Sequence, residues 1–219
     1  MRKMLAGAVL VAGLAGCAAK DASVASQLAG QRVPAQVQRV DEKTGVFMRG
    51  SWTAHAPEPA RMVAMGDIKL ITVMQVHEAV PRQFVKESEV AAYLEAVRQF
   101  HVTARNLNDI AYHFAVDRAG HVWQCRSLAY ESQSVKDLNA GNVGMMVLGD
   151  PDAPVPEVQR LATIWLLERL RGKFHVPLSH VYAKRELVNT DEPGAGVMAF
   201  MDAYRTGTLA VKMGSGGGD

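Results

Sequence analysis

The chain has 219 residues, 48% of them hydrophobic, with 24 Lys and Arg against 22 Asp and Glu. That length suits one globular domain with tethers. A charge balance of +2 leaves no basic footprint for a nucleic-acid partner.

The chain opens with Arg2 and Lys3, then a short apolar run from Met4 to Leu14, and then Leu14-Ala15-Gly16-Cys17. This resembles a bacterial lipobox, so residues 1–16 read as a lipoprotein signal peptide and Cys17 as the lipidated residue. The apolar run is too short for a permanent span of a bilayer core roughly 30 Å thick. Acyl chains at about 0.8 kcal/mol per buried CH₂ would supply the membrane attachment instead. Ala18 stands where an inner-membrane retention signal would show Asp, which implies the outer membrane facing the periplasm. Removal of Arg2 and Lys3 leaves 24 − 2 = 22 basic against 22 acidic residues. With Cys17 acylated, Cys125 has no partner for an intrachain disulfide and reads as a buried small residue.

Residues 17–50 read as the lipidated Cys17 and its tether, 51–208 as the folded domain, and 209–219 as a flexible tail. Within the domain, Asp67 to His77 is dense in β-branched and apolar residues and predicts a mostly buried strand. Ser88 is the expected cap of a helix to about His101, with Val90, Leu94, Val97 and Phe100 on one stripe. Tyr112 to Val116 and His121 to Gln124, separated by a turn containing Gly120, predict a hairpin. Val143 to Leu148 predicts a central strand. Pro156 to Arg171 predicts a long helix with Val158, Leu161, Trp165 and Leu166 facing inward and Gly172 ending it. A last helix covers about Val197 to Arg205. Strands interleaved with helices argue for an α/β class: a single domain with a central mixed β-sheet flanked by helices.

Four stretches, in order, resemble the N-acetylmuramoyl-L-alanine amidase and peptidoglycan recognition protein family. Phe100-His101 with Asn108-Asp109-Ile110-Ala111-Tyr112-His113-Phe114 is similar to that family's Phe-His and Asn-Asp-Ile-Gly-Tyr-His-Phe. Asp117 to Arg126 resembles Asp-x-x-Gly-x-Val-Trp-Glu-Gly-Arg, and Asn139 with Asn142 to Gly149 resembles Asn-x-x-x-Ile-Gly-Val-x-x-Leu-Gly. Tyr182 to Gly194 resembles the closing motif Tyr-Gly-His-Arg-Glu-Leu-x-x-Thr-x-Cys-Pro-Gly. The likeness runs from about Trp52 to Tyr204.

The resemblance implies a zinc amidase fold whose active members cut the bond between muramic acid and L-alanine. Two His and a Cys or Asp hold the metal, which supplies hydroxide and polarises the amide. Here the ligand positions carry Val76, Lys184 and Glu192, with Lys184 eight residues before Glu192 as His stands before Cys in the family. A further cleft His is replaced by Ser134. The expectation is a degenerate metal site without a cofactor, in which Lys184 and Glu192 form a partly buried ion pair. The alternative keeps zinc on His77, His180 and Glu192. It needs a one-residue slip at His77, which turns the side chain to the other sheet face.

Family members without zinc ligands keep muropeptide binding. By resemblance His77, Tyr112, Arg126, Asn139 and Thr190 are the candidate ligand-binding residues, with Tyr112 a vestige of the tyrosine that steadies the oxyanion. The resulting expectation is a membrane-anchored, catalytically inactive pseudo-amidase whose partner is peptidoglycan or an envelope protein. An active amidase of peptidoglycan turnover is the alternative.

Overall fold

In a computed structural model, the described residues are 40–41, 45–75 and 86–208; the expected signal peptide, Cys17, most of the tether, Val76, His77 and the tail lie outside them. Among the described residues, seven strands form one mixed sheet in the order β1-β2-β5-β4-β6-β3-β7. These are β1 (Val40–Asp41), β2 (Val46–Phe47), β3 (Leu70–Met74), β4 (Phe114–Val116), β5 (Val122–Gln124), β6 (Asn142–Val147) and β7 (Val181–Ala183). Among the described residues the α-helices are α1 (Glu87–Thr103), α2 (Glu157–Phe174) and α3 (Ala195–Arg205). The α/β class and the single mixed sheet are as expected.

The centre of the sheet is parallel. β6 lies between β4 and β3, and β3 between β6 and β7, with Val73 opposite both Met145 and Ala183. Parallel strands need helical crossovers, which bury both faces of the sheet. The apolar residues accordingly divide by pleat. Ile71, Val73, Val143, Met145, Val181 and Ala183 pack toward α2 and α3. Met74, Ala115, Trp123 and Met146 pack toward α1 with Tyr93, Leu94 and Val97.

The predicted hairpin is present, with β4 and β5 antiparallel and Ala115 opposite Trp123. Its turn is organised by buried Asp117. One carboxylate oxygen accepts the Ala119 and His121 amides at 2.9 Å each, and the other accepts the Trp123 indole N–H at 3.0 Å. Gly120 sits at φ +87°, where a Cβ would meet the Val158 carbonyl oxygen at 2.9 Å, so both conformation and space require glycine.

Two helix expectations need correction. Ser88 does not cap α1; the cap is Lys86, whose amide donates to Glu89 Oε2 at 3.0 Å. Glu87 and Glu89 in the first turn also oppose the positive end of the helix dipole. In α2, Gly172 is passed, and the helix ends after Phe174 with His175 left-handed at φ 56°.

The buried face of α2 is also rotated from the expected one. Leu166 is buried, but Val158 and Leu161 are 53% and 40% exposed. In their place Gln159, Thr163, Ile164, Leu167 and Leu170 face inward. Gln159 Nε2 donates to the carbonyls of Val116 and Leu148 at 2.9 and 2.6 Å, and Thr163 Oγ1 donates to the Gln159 carbonyl at 2.8 Å. Buried polar groups with partners lose most of their desolvation cost.

Candidate functional site

The candidate site lies where the parallel strands end. β3 runs into Gln75, and β7 runs into a 3-10 turn, Lys184–Glu186. Alternation along β7 puts Val181 and Ala183 on the α2 side, so Tyr182 and Lys184 project to the α1 side. The turn is capped by Glu186, which accepts the Ala183 amide at 2.7 Å and pairs with Arg205 of α3 at 2.8 Å.

Buried Gln75 ties three strand ends together. Its Nε2 donates to the Gly149 carbonyl after β6 at 3.4 Å, and its Oε1 accepts the Gly194 amide at 3.2 Å. Gly194 itself lies hard against Pro151, where a Cβ would meet the carbonyl oxygen at 2.2 Å. These contacts bring the loop carrying Glu192 back to the end of β7, and the Arg185 amide donates to the Glu192 carbonyl at 2.7 Å.

The result is an ion pair. Lys184 Nζ stands 2.8 Å from Glu192 Oε2, with side chains 19% and 17% exposed. The expected pairing is therefore present in the geometry.

Of the other candidates, Tyr112 and Ser134 lie on the α1 side of the sheet, Thr190 lies beside Glu192, and Asn139 precedes β6, at the strand end away from Lys184. Tyr112 is 2% exposed and meets His101 edge-on, ring centroids 6.1 Å apart. His101 accepts the Ala111 amide on Nδ1 at 3.1 Å. Burial pushes its pKa down to about 3, helped by the positive charges of Arg105, Arg126 and Lys184. His113 accepts the Gly144 amide on Nδ1 and donates from Nε2 to the Tyr130 carbonyl. Burial lowers its pKa to about 4, so both rings are neutral supports. Ser134 lies over Gly144, where a Cβ would come within 2.6 Å of its Oγ and 3.4 Å of Met74 Cε. Asn139 Oδ1 holds the Ser134 loop by accepting the Ser132 hydroxyl at 3.0 Å and the Val135 amide at 3.1 Å. Thr190 Oγ1 accepts the Glu192 amide at 3.4 Å.

Two candidates fall elsewhere. Arg126 is 1% exposed and serves the interior. It donates to the Ile110 and Glu131 carbonyls, Asn108 Oδ1 and Gln133 Oε1 at 2.7 to 2.9 Å. His180 precedes β7, at the end of the strand opposite Lys184, and donates from Nδ1 to the Lys69 carbonyl at 3.1 Å. The three residues of β7, each rising about 3.3 Å, separate it from Lys184. His180 thus stands at the far end of β7 from the Lys184–Glu192 pair, and His77, the other histidine of the alternative set, lies outside the described residues. Cys125 is buried, and burial raises its thiol pKa well above the ordinary value.

The described donors do not fit zinc. The Lys184 ammonium carries no lone pair for a metal, and it engages the Glu192 carboxylate. Among the described residues no three His, Cys, Asp or Glu side chains converge on a metal position. Sequence reasoning found Lys184 and Glu192 but missed Gln75 and Glu186, which position them. Their signal was a polar residue ending an apolar strand and an acid three residues after Ala183.

Residues 69–195 match the family described as N-acetylmuramoyl-L-alanine amidase. An N-acetylmuramoyl-L-alanine amidase of Sus scrofa is 24% identical over 127 residues, covering 56% of this chain and 21% of that protein. The chain thus spans about a fifth of that relative's length. Among solved structures, wild-type Drosophila PGRP-LB superposes with a TM-score of 0.65 at 19% identity, covering 73% of this chain and 93% of that one. A Drosophila PGRP-LB mutant in complex with tracheal cytotoxin gives 0.66 at 18% identity, covering 73% and 94%. The amidase LysC from Clostridium intestinale gives 0.57 at 16% identity, covering 76% and 98%. Matching more than half of its length, this chain belongs to the N-acetylmuramoyl-L-alanine amidase family.

Proposed function

We propose that this chain is a lipid-anchored pseudo-amidase that binds peptidoglycan muropeptides in the cleft at the ends of β3, β6 and β7 without cutting them. The observation that carries this reading is the Lys184–Glu192 ion pair at 2.8 Å, at the two motif positions where the family has His and Cys. A cation and a carboxylate so joined hold the β7 turn and the Glu192 loop together electrostatically. Without a metal there is no Lewis acid to generate hydroxide or polarise the scissile amide.

The proposed ligand class is supported by the fold of a PGRP-LB that carries tracheal cytotoxin. Thr190 braces the Glu192 loop, Asn139 braces the loop that carries Ser134, and Ser134 stands in place of the family's cleft histidine. Glycan and stem-peptide recognition would fall to these groups and to His77. Anchoring through Cys17 in the outer membrane, facing the periplasm, would hold the cleft beside the wall.

The test is zinc per protein by elemental analysis, on chain purified without a histidine tag and incubated with zinc before desalting. The reading expects a value near zero. One equivalent, together with release of free stem peptide from peptidoglycan, would return the zinc amidase to first place.

A further inference from the structure

The outer face of α2 carries apolar side chains that the domain leaves in solvent. Val158 is 53% exposed and Leu161 is 40% exposed, while Trp165 between them and Arg169 is half-buried and packs partly against the core. Positions i, i+3 and i+7 place them on one stripe, and Arg169 continues it at i+11. The Arg169 guanidinium lies over the Trp165 ring at 5.6 Å, and the Lys173 ammonium over the Phe174 ring at 5.2 Å. The acids flanking the stripe are occupied: Glu157 pairs with Arg160 at 3.1 Å and Glu168 with Arg171 at 2.7 Å. Among the described residues neither Arg169 nor Lys173 has a carboxylate partner. Beside the stripe a pocket of about 210 Å³ opens between α2 and strands β2 and β5, lined by Val46, Met48, Leu128 and Leu170, with Arg169 and Lys173 also in its wall.

We propose that this face docks on an anionic lipid bilayer surface. Val158, Leu161 and Trp165 would enter the headgroup–acyl boundary, and Arg169 and Lys173 would meet the lipid phosphates. An apolar stripe with a tryptophan and unneutralised cations has the chemistry of an interfacial helix. Two features favour lipid over a protein partner. The charge is of one sign where the stripe ends, complementary to a negative surface. The chain also enters the fold on this side, because Val46 of β2 lines the same pocket, and Cys17 of the lipobox lies only 23 residues before Val40. The contact is independent of the cleft and would fix how the cleft is presented.

Trp165 supplies the readout, since Trp52 and Trp123 are 1% and 0% exposed. The full chain, reconstituted into vesicles of phosphatidylcholine and phosphatidylglycerol with brominated acyl chains, should show blue-shifted, quenched tryptophan emission. Trp165→Phe should remove that component. Arg169→Gln with Lys173→Gln should lower the docked-to-undocked ratio roughly thirtyfold, about fivefold per cation. Val158→Ser with Leu161→Ser should also abolish the quenching, with an unchanged melting temperature showing that the fold is intact. Three results would overturn the proposal. One is no quenching of Trp165, and another is equal quenching in purely zwitterionic vesicles. The third is a blue shift that grows with protein concentration without vesicles, which would make the face a contact between two copies.

Discussion

Replacing Lys184 by Met tests whether the ion pair holds the old ligand positions together. The substitution keeps length and apolar stem but removes the ammonium 2.8 Å from Glu192 Oε2. Glu192 is then left with a carboxylate about four-fifths covered and without the cation that faces it. Exposed pairs contribute about 0.2–1 kcal/mol, whereas stranding one charge of a fully buried pair costs about 3–5 kcal/mol. Side-chain exposures of 19% and 17% fall between these limits, so the expected loss is about 2 kcal/mol. In a domain of this size that lowers the melting temperature by about 4–8 °C. The informative assay is a double-mutant cycle by calorimetry with Lys184→Met, Glu192→Met and both together. Two well-packed apolar groups often replace a buried ion pair at little cost. The double variant should therefore regain most of the loss, with a coupling of about 1–2 kcal/mol. An unchanged or raised melting temperature for Lys184→Met, or strictly additive losses, would refute the reasoning.

Three further outcomes concern groups buried in the domain. Gly144→Ala should lower stability, because its Cβ would stand 2.6 Å from Ser134 Oγ; adding Ser134→Ala should recover part of the loss in urea unfolding, and no recovery would contradict the packing. Arg126→Met should cost about 3–5 kcal/mol, as it strands two carbonyls and two side-chain amide oxygens that the buried guanidinium now satisfies. A near-neutral result there would show that Arg126 faces the cleft instead.

The third concerns acid. His101 and His113 stay neutral in the folded state down to about 3 and 4, against 6.5 for an unperturbed histidine. The unfolded chain therefore binds more protons below pH 6.5. The stability from their burial is complete above that value and falls as pH drops toward about 4. Each histidine contributes a slope approaching about 1.4 kcal/mol per pH unit. His113→Gln should flatten the decline between pH 6.5 and 5 by about one such slope in urea titrations; an unchanged decline would count against the burial argument.

The sequence made some of this architecture legible and hid the rest, for physical reasons. β3 and β6 announced themselves because buried parallel strands are almost wholly apolar. The hairpin was visible because Asp117 and Gly120 supply its turn chemistry. Lys184 and Glu192 could be found only because the motif around them survives in register. The face of α2 was misread because apolarity was taken as burial. Gln159 and Thr163 are inside because the backbone offers them partners across distant strands, which no local pattern records. Arg126 was likewise taken for a surface ligand, although four acceptors from two loops enclose it. His180 was weighed as a ligand by its distance along the chain, whereas β7 separates it from Lys184 by the length of the strand.

The central claim is that the cleft holds peptidoglycan without metal and without cleavage. Its most direct test is co-sedimentation of the purified chain with peptidoglycan sacculi in excess chelator, with the supernatant assayed for free stem peptide. The account predicts that the chain pellets with the sacculi and that no peptide is released, with or without added zinc. Failure to pellet, or peptide release that appears on adding zinc and stops with chelator, would contradict it.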